Sequence, residues 1–233
     1  MIKLVTFQKR ANSLTRSEFE HRWQTIHGPM AAQFPGLRGY MLGFSIEPDE
    51  PQADGIAQLW FDSRESCQAS YASEIGRSGS ADAIKYLGRR EHMLLSESWI
   101  LRGGSLAKTP YKLVVAGKRI EGRSRNEFCE WWPHFLSSLP EESGALSTRV
   151  SIDEKGQLLN SQTGGDLGLV VGEGVYDGLI EAWFANIESL DSAIKLVRTN
   201  YSSLLRDHLS KFETAALREE IVVRPPAEIY CEV

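Results

Sequence analysis

A histidine at position 27, followed at once by Gly28 and Pro29, is the side chain here best suited to proton chemistry. Imidazole titrates near neutrality, so it can take and return a proton at physiological pH. His27 lies four residues after Trp23 and eight after Phe19. On a helix that spacing puts it on or beside an apolar stripe, close to where Gly-Pro interrupts regular structure. The alternative is a helix-end histidine bonded to a backbone carbonyl. Tyr40 follows on the next predicted strand, where a phenol can donate to a carbonyl or pack in a core. Gln58 and Glu181 each stand between large apolar neighbours, Ile56 and Trp60 in one case, Leu179 and Trp183 in the other. By period two they share a strand face with those neighbours. They can line a pocket or pair with each other across two sheets.

Other chemical signals are weaker. Cys67 opens a predicted helix and reads as a buried structural thiol before a reactive one. His21, His92, His134 and His208 lack metal-ligand spacing, and the sequence has no nucleophile elbow, P-loop or GxGxxG motif. The basic run 118–125 reads as a solvated turn, and Asn200-Tyr201-Ser202 is a glycosylation sequon in form only.

The elements that must position these residues come from an internal repeat. At a shift of 109, Lys3, Leu4, Val5, Lys9, Arg10, Arg16, Glu18, Phe19 and Trp23 recur as Lys112, Leu113, Val114, Lys118, Arg119, Arg125, Glu127, Phe128 and Trp132. Residues 54–66 match 177–189 at a shift of 123, so the second half carries an insertion, placed within 153–174. The boundary falls near Gly103-Gly104-Ser105, giving halves 1–105 and 106–233.

In the first half, residues 3–9 alternate as a strand. Ser13 or Thr15 caps a helix, with Glu18 completing a box after Thr15, and Phe19, Trp23, Ile26 and Met30 form its apolar stripe. Pro35-Gly36 stops it. Strands are predicted at 38–46 and 55–61, helical pieces at 65–72 and 81–87 around a polar break at 76–80, and a closing strand at 96–101. The order β-α-β-β-α-β is ferredoxin-like, α+β, with helices on one sheet face only. Two such halves would pack their bare faces together as a barrel.

The chain has 233 residues, 42% hydrophobic and 24% charged, with a formal net charge of -5. That balance offers no bulk attraction to nucleic acid or an anionic membrane. Cys67, Cys129 and Cys231 are scattered, without CxxC spacing, and no apolar run reaches membrane-helix length. The start has no signal-peptide pattern, so the expectation is a cytoplasmic protein.

The stretch EFEHRWQTIHGPMAAQFPGLRGYM (residues 18–41) resembles the signature of EthD-type proteins, and DGIAQLWFDS (54–63) resembles their second signature. The second half keeps the scaffold residues without His-Gly-Pro and reads as a degenerate copy. The resemblance implies a dimeric α+β barrel, here formed within one chain. It also implies a histidine at the position of His27 that works in lactone-isomerase relatives, and a pocket place for Tyr40. Glu is common in the family where this chain has Gln58, which puts carboxylate chemistry there in doubt.

Together these readings predict a cofactor-independent enzyme moving a proton on a small or polycyclic carbonyl compound by isomerisation, cyclisation, dehydration or decarboxylation. His27 would be acid/base and Tyr40 would polarise the carbonyl. Trp23, Phe34, Gln58, Trp60 and Glu181 would bind a hydrophobic or aromatic substrate. The alternatives are an oxidative, monooxygenase-type or accessory role in ether or aromatic degradation, which would bring in haem or flavin, and a non-catalytic binding barrel. A homodimer of the tandem chain is a further option. The loss of His-Gly-Pro from the second half predicts one working pocket, with His134 on the surface.

Overall fold

Side-chain alternation along the first strand sorts the chain into two environments. In β1 (Ile2–Arg10), Leu4, Thr6 and Gln8 face one way and Lys3, Val5 and Phe7 the other, and all six are buried. A computed structural model of the protein, describing residues 1–103, 110–135, 139–153 and 174–229, shows what covers each face. The boundary residues 104–109 and the interior of the predicted insertion lie outside the described residues, as do Leu136, Ser137, Ser138 and Cys231.

The first half runs β1, α1 (Arg16–Arg22), a π-helical turn (Trp23–His27), α2 (Gly28–Ala31), β2 (Leu37–Ser45), β3 (Gly55–Phe61), α3 (Arg64–Ala72), α4 (Glu74–Ile84) and β4 (Leu87–Leu101). The second runs β5 (Tyr111–Arg119), α5 (Arg125–Phe135), α6 (Leu139–Ser143), β6 (Ser147–Ile152), β7 (Gly178–Phe184), α7 (Ile187–Leu196), a π-helical turn (Val197–Tyr201), α8 (Ser202–His208) and β8 (Leu209–Val223). All neighbouring strands are antiparallel.

The strands close into one barrel in the order β1-β3-β2-β8-β5-β7-β6-β4. It consists of two ferredoxin-like sheets joined by long strands that serve both. Residues 87–95 of β4 pair with β1 and 96–101 with β6, while 209–218 of β8 pair with β5 and 217–223 with β2. This is a dimeric α+β barrel within one chain. The inner faces meet in a lumen, and each outer face is covered by helices. Phe19, Trp23, Leu42 and Phe44 pack in the first outer layer, and Phe128, Trp132, Leu190 and Leu205 in the second.

The repeated identities have repeated duties. Arg10 bonds Asp54 in the first half, and Lys118 and Arg119 bond Asp177 in the second. The basic run at 118–125 is therefore structural, not a free solvated turn, since Arg125 also reaches Asp177 at 3.5 Å. Lys3 and Lys112 enter the lumen from the two halves.

Three local expectations differ from the structure. The break expected at 76–80 is helix, because Ser73 starts α4 by accepting from Gly76 N at 3.1 Å. Gly76 belongs there because a Cβ would stand 2.2 Å from the Ser70 carbonyl oxygen. Strand β4 begins at Leu87 and not at 96, and the helical piece ends at Ile84 instead of 87. Arg90 and His92 are buried polar residues on the helix-facing side of the strand, and they hide the alternation. Third, Ile26 is 44% exposed and His27 takes the buried position beside Trp23. The Gly28 N–H bonds the Trp23 carbonyl five residues back, and this wider turn rotates the stripe by one residue. Elsewhere Thr15 and Glu18 form the expected capping box. Among the described residues no helix is long and apolar enough to cross a membrane.

Candidate active site

The His-Gly-Pro segment works as a unit. Pro29 has no N–H and its ring crowds the turn behind it, which favours the widened π turn. Gly28 permits it, because a Cβ there would lie 2.8 Å from the Trp23 carbonyl oxygen. The turn aims His27 inward, where its Nδ1 meets Asp82 Oδ2 at 3.2 Å and its ring lies 5.3 Å from that of Tyr86. Asp82 projects from α4 and also accepts from Arg22 Nη2 at 2.5 Å. The His27 hydrogen bond, aided by Arg22 and opposed by burial, holds the Asp82 carboxyl below its ordinary range. An ionised Asp82 fixes the Nδ1–H tautomer and leaves Nε2 for chemistry, with no hydrogen bond among the described residues.

His27 and Tyr40 line the same cavity, in the layer between the first sheet and its helices. The cavity holds about 20 Å³, room for a water-sized group, and opens toward solvent. Phe34, Tyr71 and Leu59 give it apolar walls, Thr6, Gln8, Arg90 and His92 make it polar at the sheet, and Ser80 adds a hydroxyl from α4. Tyr40 OH accepts from Trp23 Nε1 at 3.1 Å, so Trp23 supports the cavity from behind. Complete burial raises the Tyr40 pKa well above that of a free phenol, with the Trp23 bond opposing. Tyr40 therefore stays a neutral donor. His92 Nδ1 lies 2.7 Å from Thr6 Oγ1, and burial, reinforced by Arg90, pushes its pKa well below the usual imidazole value.

Of the residues expected to bind substrate, only Phe34 lines this cavity together with His27 and Tyr40. Gln58, Trp60 and Glu181 face the lumen, on the opposite side of the sheet. Their alternation with Ala57, Leu59 and Ala182, which face the helices, settles this. There Gln58 Nε2 donates to Glu181, and Lys112 Nζ reaches both, at 3.1 and 3.0 Å. Lys3 and Arg149 complete the pairing with Glu181 and Glu97, and Lys112 also pairs Glu219. Burial favours a protonated Glu181, but Lys3, Lys112 and Arg149 outweigh it and hold the pKa well below the carboxylate range. Three cations face three carboxylates, so this cluster is internally balanced.

Asp82, Arg90, Tyr71 and Thr6 join the site without having stood out in the sequence. Period two through Arg90, His92 and Leu94 is the one available signal, since all three sit on the helix-facing side of β4. Nothing local marks Asp82. Cys67 is buried and burial pushes its thiol up to about 12, which makes it an inert packing residue. His134 is exposed. Among the described residues no group of His, Cys, Asp and Glu is arranged to hold a metal.

Among the described residues the second half has no equivalent set. Thr6 pairs with His92 and Gln8 with Arg90 across β1 and β4; the same registers in β5 and β8 hold Val115 with Thr214 and Gly117 with Phe212. The Trp132 ring lies 2.7 Å from where a Gly117 Cβ would be, filling that space.

Comparison with known proteins agrees with this fold. Residues 11–90, which hold His27, Tyr40, Asp82 and Arg90, match the family model of the EthD domain. An uncharacterised 11.0 kDa protein from the thcB-thcC intergenic region of Rhodococcus erythropolis is 26% identical over 81 residues, 34% of this chain and 79% of that protein. A crystal structure of an anthrone oxidase-like protein is similar over 100% of this chain and 96% of its own, with a TM-score of 0.64 at 9% identity, a likeness of fold. An ethyl tert-butyl ether D (EthD) family protein from Bacillus halodurans C-125 is 23% identical, covering 40% of this chain and 95% of its own, with a TM-score of 0.37. Residues 11–90 thus match the model of the EthD domain, and the matching stretch lies in the first half of a single-chain dimeric α+β barrel.

Proposed function

We propose that this protein is an enzyme that transfers a proton on a small carbonyl compound, by isomerisation, cyclisation, dehydration or decarboxylation. One observation carries the reading: His27 is bonded to an ionised Asp82 and lines, together with Tyr40, a cavity in the EthD-type half. Nε2 of His27 takes a proton from the carbon beside the carbonyl and returns it elsewhere, while Asp82 stabilises the imidazolium between the two steps. The buried Tyr40 hydroxyl donates to the carbonyl oxygen as negative charge develops there. These steps draw on side chains alone.

The two halves divide the labour in this proposal. Residues 1–105 are the working half, and 106–233 are a degenerate duplicate in which Trp132 fills the space beside Gly117. The lumen cluster of Gln58, Glu181 and Trp60 holds the halves together and does not bind substrate.

The test works across compound classes and does not require the natural substrate. A panel of 2-oxo acids, aryl ketones and unsaturated lactones is incubated with the protein in deuterium oxide and followed by mass spectrometry. The expected result is deuterium incorporation into one compound class, reduced roughly 100-fold or more in Asp82→Asn, which offers His27 the wrong tautomer. Equal incorporation by wild type and Asp82→Asn would sink the proposal.

A further inference from the structure

Among the described residues four cations are deeply buried, and three have their charge matched. Lys3 and Arg149 each face Glu97 and Glu181, and Lys112 faces Glu181 and Glu219. The fourth, Arg90, is 7% exposed and makes no hydrogen bond or ion pair among the described residues. A guanidinium cannot shed its proton at physiological pH, so burying it unpaired carries a large desolvation cost. Among the described residues its surroundings supply no counter-charge. Tyr71 and Tyr86 are neutral, their phenol pKa values driven up chiefly by burial. His92 is also neutral, and Asp82 is committed to Arg22 and His27. Glu91, next in sequence, lies on the other side of strand β4.

Further unsatisfied polar atoms surround Arg90. Ser80 Oγ and Gln8 Oε1, both in the cavity wall, carry no hydrogen bond, and neither does Tyr86 OH behind it. Gln8 stands directly opposite Arg90 across β1 and β4. Buried polar groups ordinarily find partners, and here several without one gather with Arg90 around a single cavity.

We propose that the substrate carries a carboxylate and that Arg90 is its anchor, an inference that rests on and deepens the proton-transfer reading of the same cavity. The fork of the guanidinium matches two carboxylate oxygens side by side. Ser80 adds a hydroxyl donor, and Gln8 Oε1 accepts from a substrate hydroxyl or amide. One unmatched positive charge calls for a monoanion; a phosphate dianion would leave a negative charge unmatched in a site of low dielectric. The space of about 20 Å³ takes the carboxylate end, and the reacting carbon lies on the side of His27, which lines the same cavity. In the second half Phe212 stands at the register of Arg90, so the anchor exists once per chain.

The test measures binding to the full chain by calorimetry, using pyruvate and benzoate, their neutral amides pyruvamide and benzamide, and inorganic phosphate. The expected result is that at least one carboxylate binds on the order of tenfold or more tightly than its amide. Arg90→Met abolishes that preference, and His27→Asn keeps it. Arg90→Met should melt no lower than wild type, since it removes an unpaired buried charge. Where it does not fold, Arg90→Lys decides, and should lose most of the preference because it lacks the fork. Amides or phosphate binding as tightly as the carboxylates, or a preference that survives in the Arg90 variants, would overturn the proposal. If the preference follows Arg90 while deuterium incorporation ignores Asp82, the anchor stands and the proton-transfer reading fails.

Discussion

His92 shows how burial sets the state of a single side chain. It lies between Arg90 and Thr6, and burial together with the Arg90 charge keeps it neutral. Its folded pKa is depressed, so the unfolded chain binds the extra proton first. Stability is then complete above the unfolded value of about 6.5 and is lost as pH falls from there toward the folded pKa. Urea unfolding at several pH values should show this loss, with a slope of up to about 1.4 kcal/mol per pH unit from this residue. His92→Gln should flatten the profile between about pH 6.5 and 5. Identical profiles for the two proteins would contradict a neutral His92. At this scale the sequence is only partly legible. His27 and Tyr40 can be read from type and spacing, whereas Asp82 reaches His27 from a helix 55 residues away, and no local pattern announces such a partner.

The decisive element is the π turn at Trp23–His27. Regular 3.6-residue periodicity predicts Ile26 on the buried stripe, and one wide turn exchanges it for His27. Helical spacing thus locates the element and misassigns one of its faces. Strand β4 is obscured for a related reason, because Arg90 and His92 stand where alternation calls for apolar residues. The lone glycine in the turn gives a test at this scale. Gly28→Ala sets a methyl group 2.8 Å from the Trp23 carbonyl oxygen, a backbone atom that cannot rotate away. The expected cost is about 1–3 kcal/mol in chemical denaturation, as for other overpacked sites. Deuterium incorporation should fall as well, because His27 moves with the turn. A variant as stable and as active as wild type would show that the close approach does not matter.

For the whole molecule, the repeat and the one-sided halves make the barrel foreseeable, since each sheet needs a partner for its bare face. What alternation cannot say is which side of the sheet holds the chemistry. Both faces carry buried polar groups. Only the folded arrangement shows that the lumen charges balance among themselves, whereas the outer cavity holds an unmatched cation. The lumen network should therefore matter to stability. Glu181→Gln leaves Lys3, Lys112 and Arg149 with two carboxylates between them, at a cost of about 3–5 kcal/mol in urea unfolding; a loss below about 1 kcal/mol would mean the network is not coupled as described. The central claim is that activity resides in the outer cavity of the first half. It is tested most directly by comparing deuterium incorporation in wild type, His27→Asn and Trp60→Phe. The prediction is near-wild-type exchange in Trp60→Phe, whose ring lies in the lumen, and a loss of about 100-fold or more in His27→Asn. Exchange abolished by Trp60→Phe and retained by His27→Asn would place the chemistry inside the barrel and contradict the account.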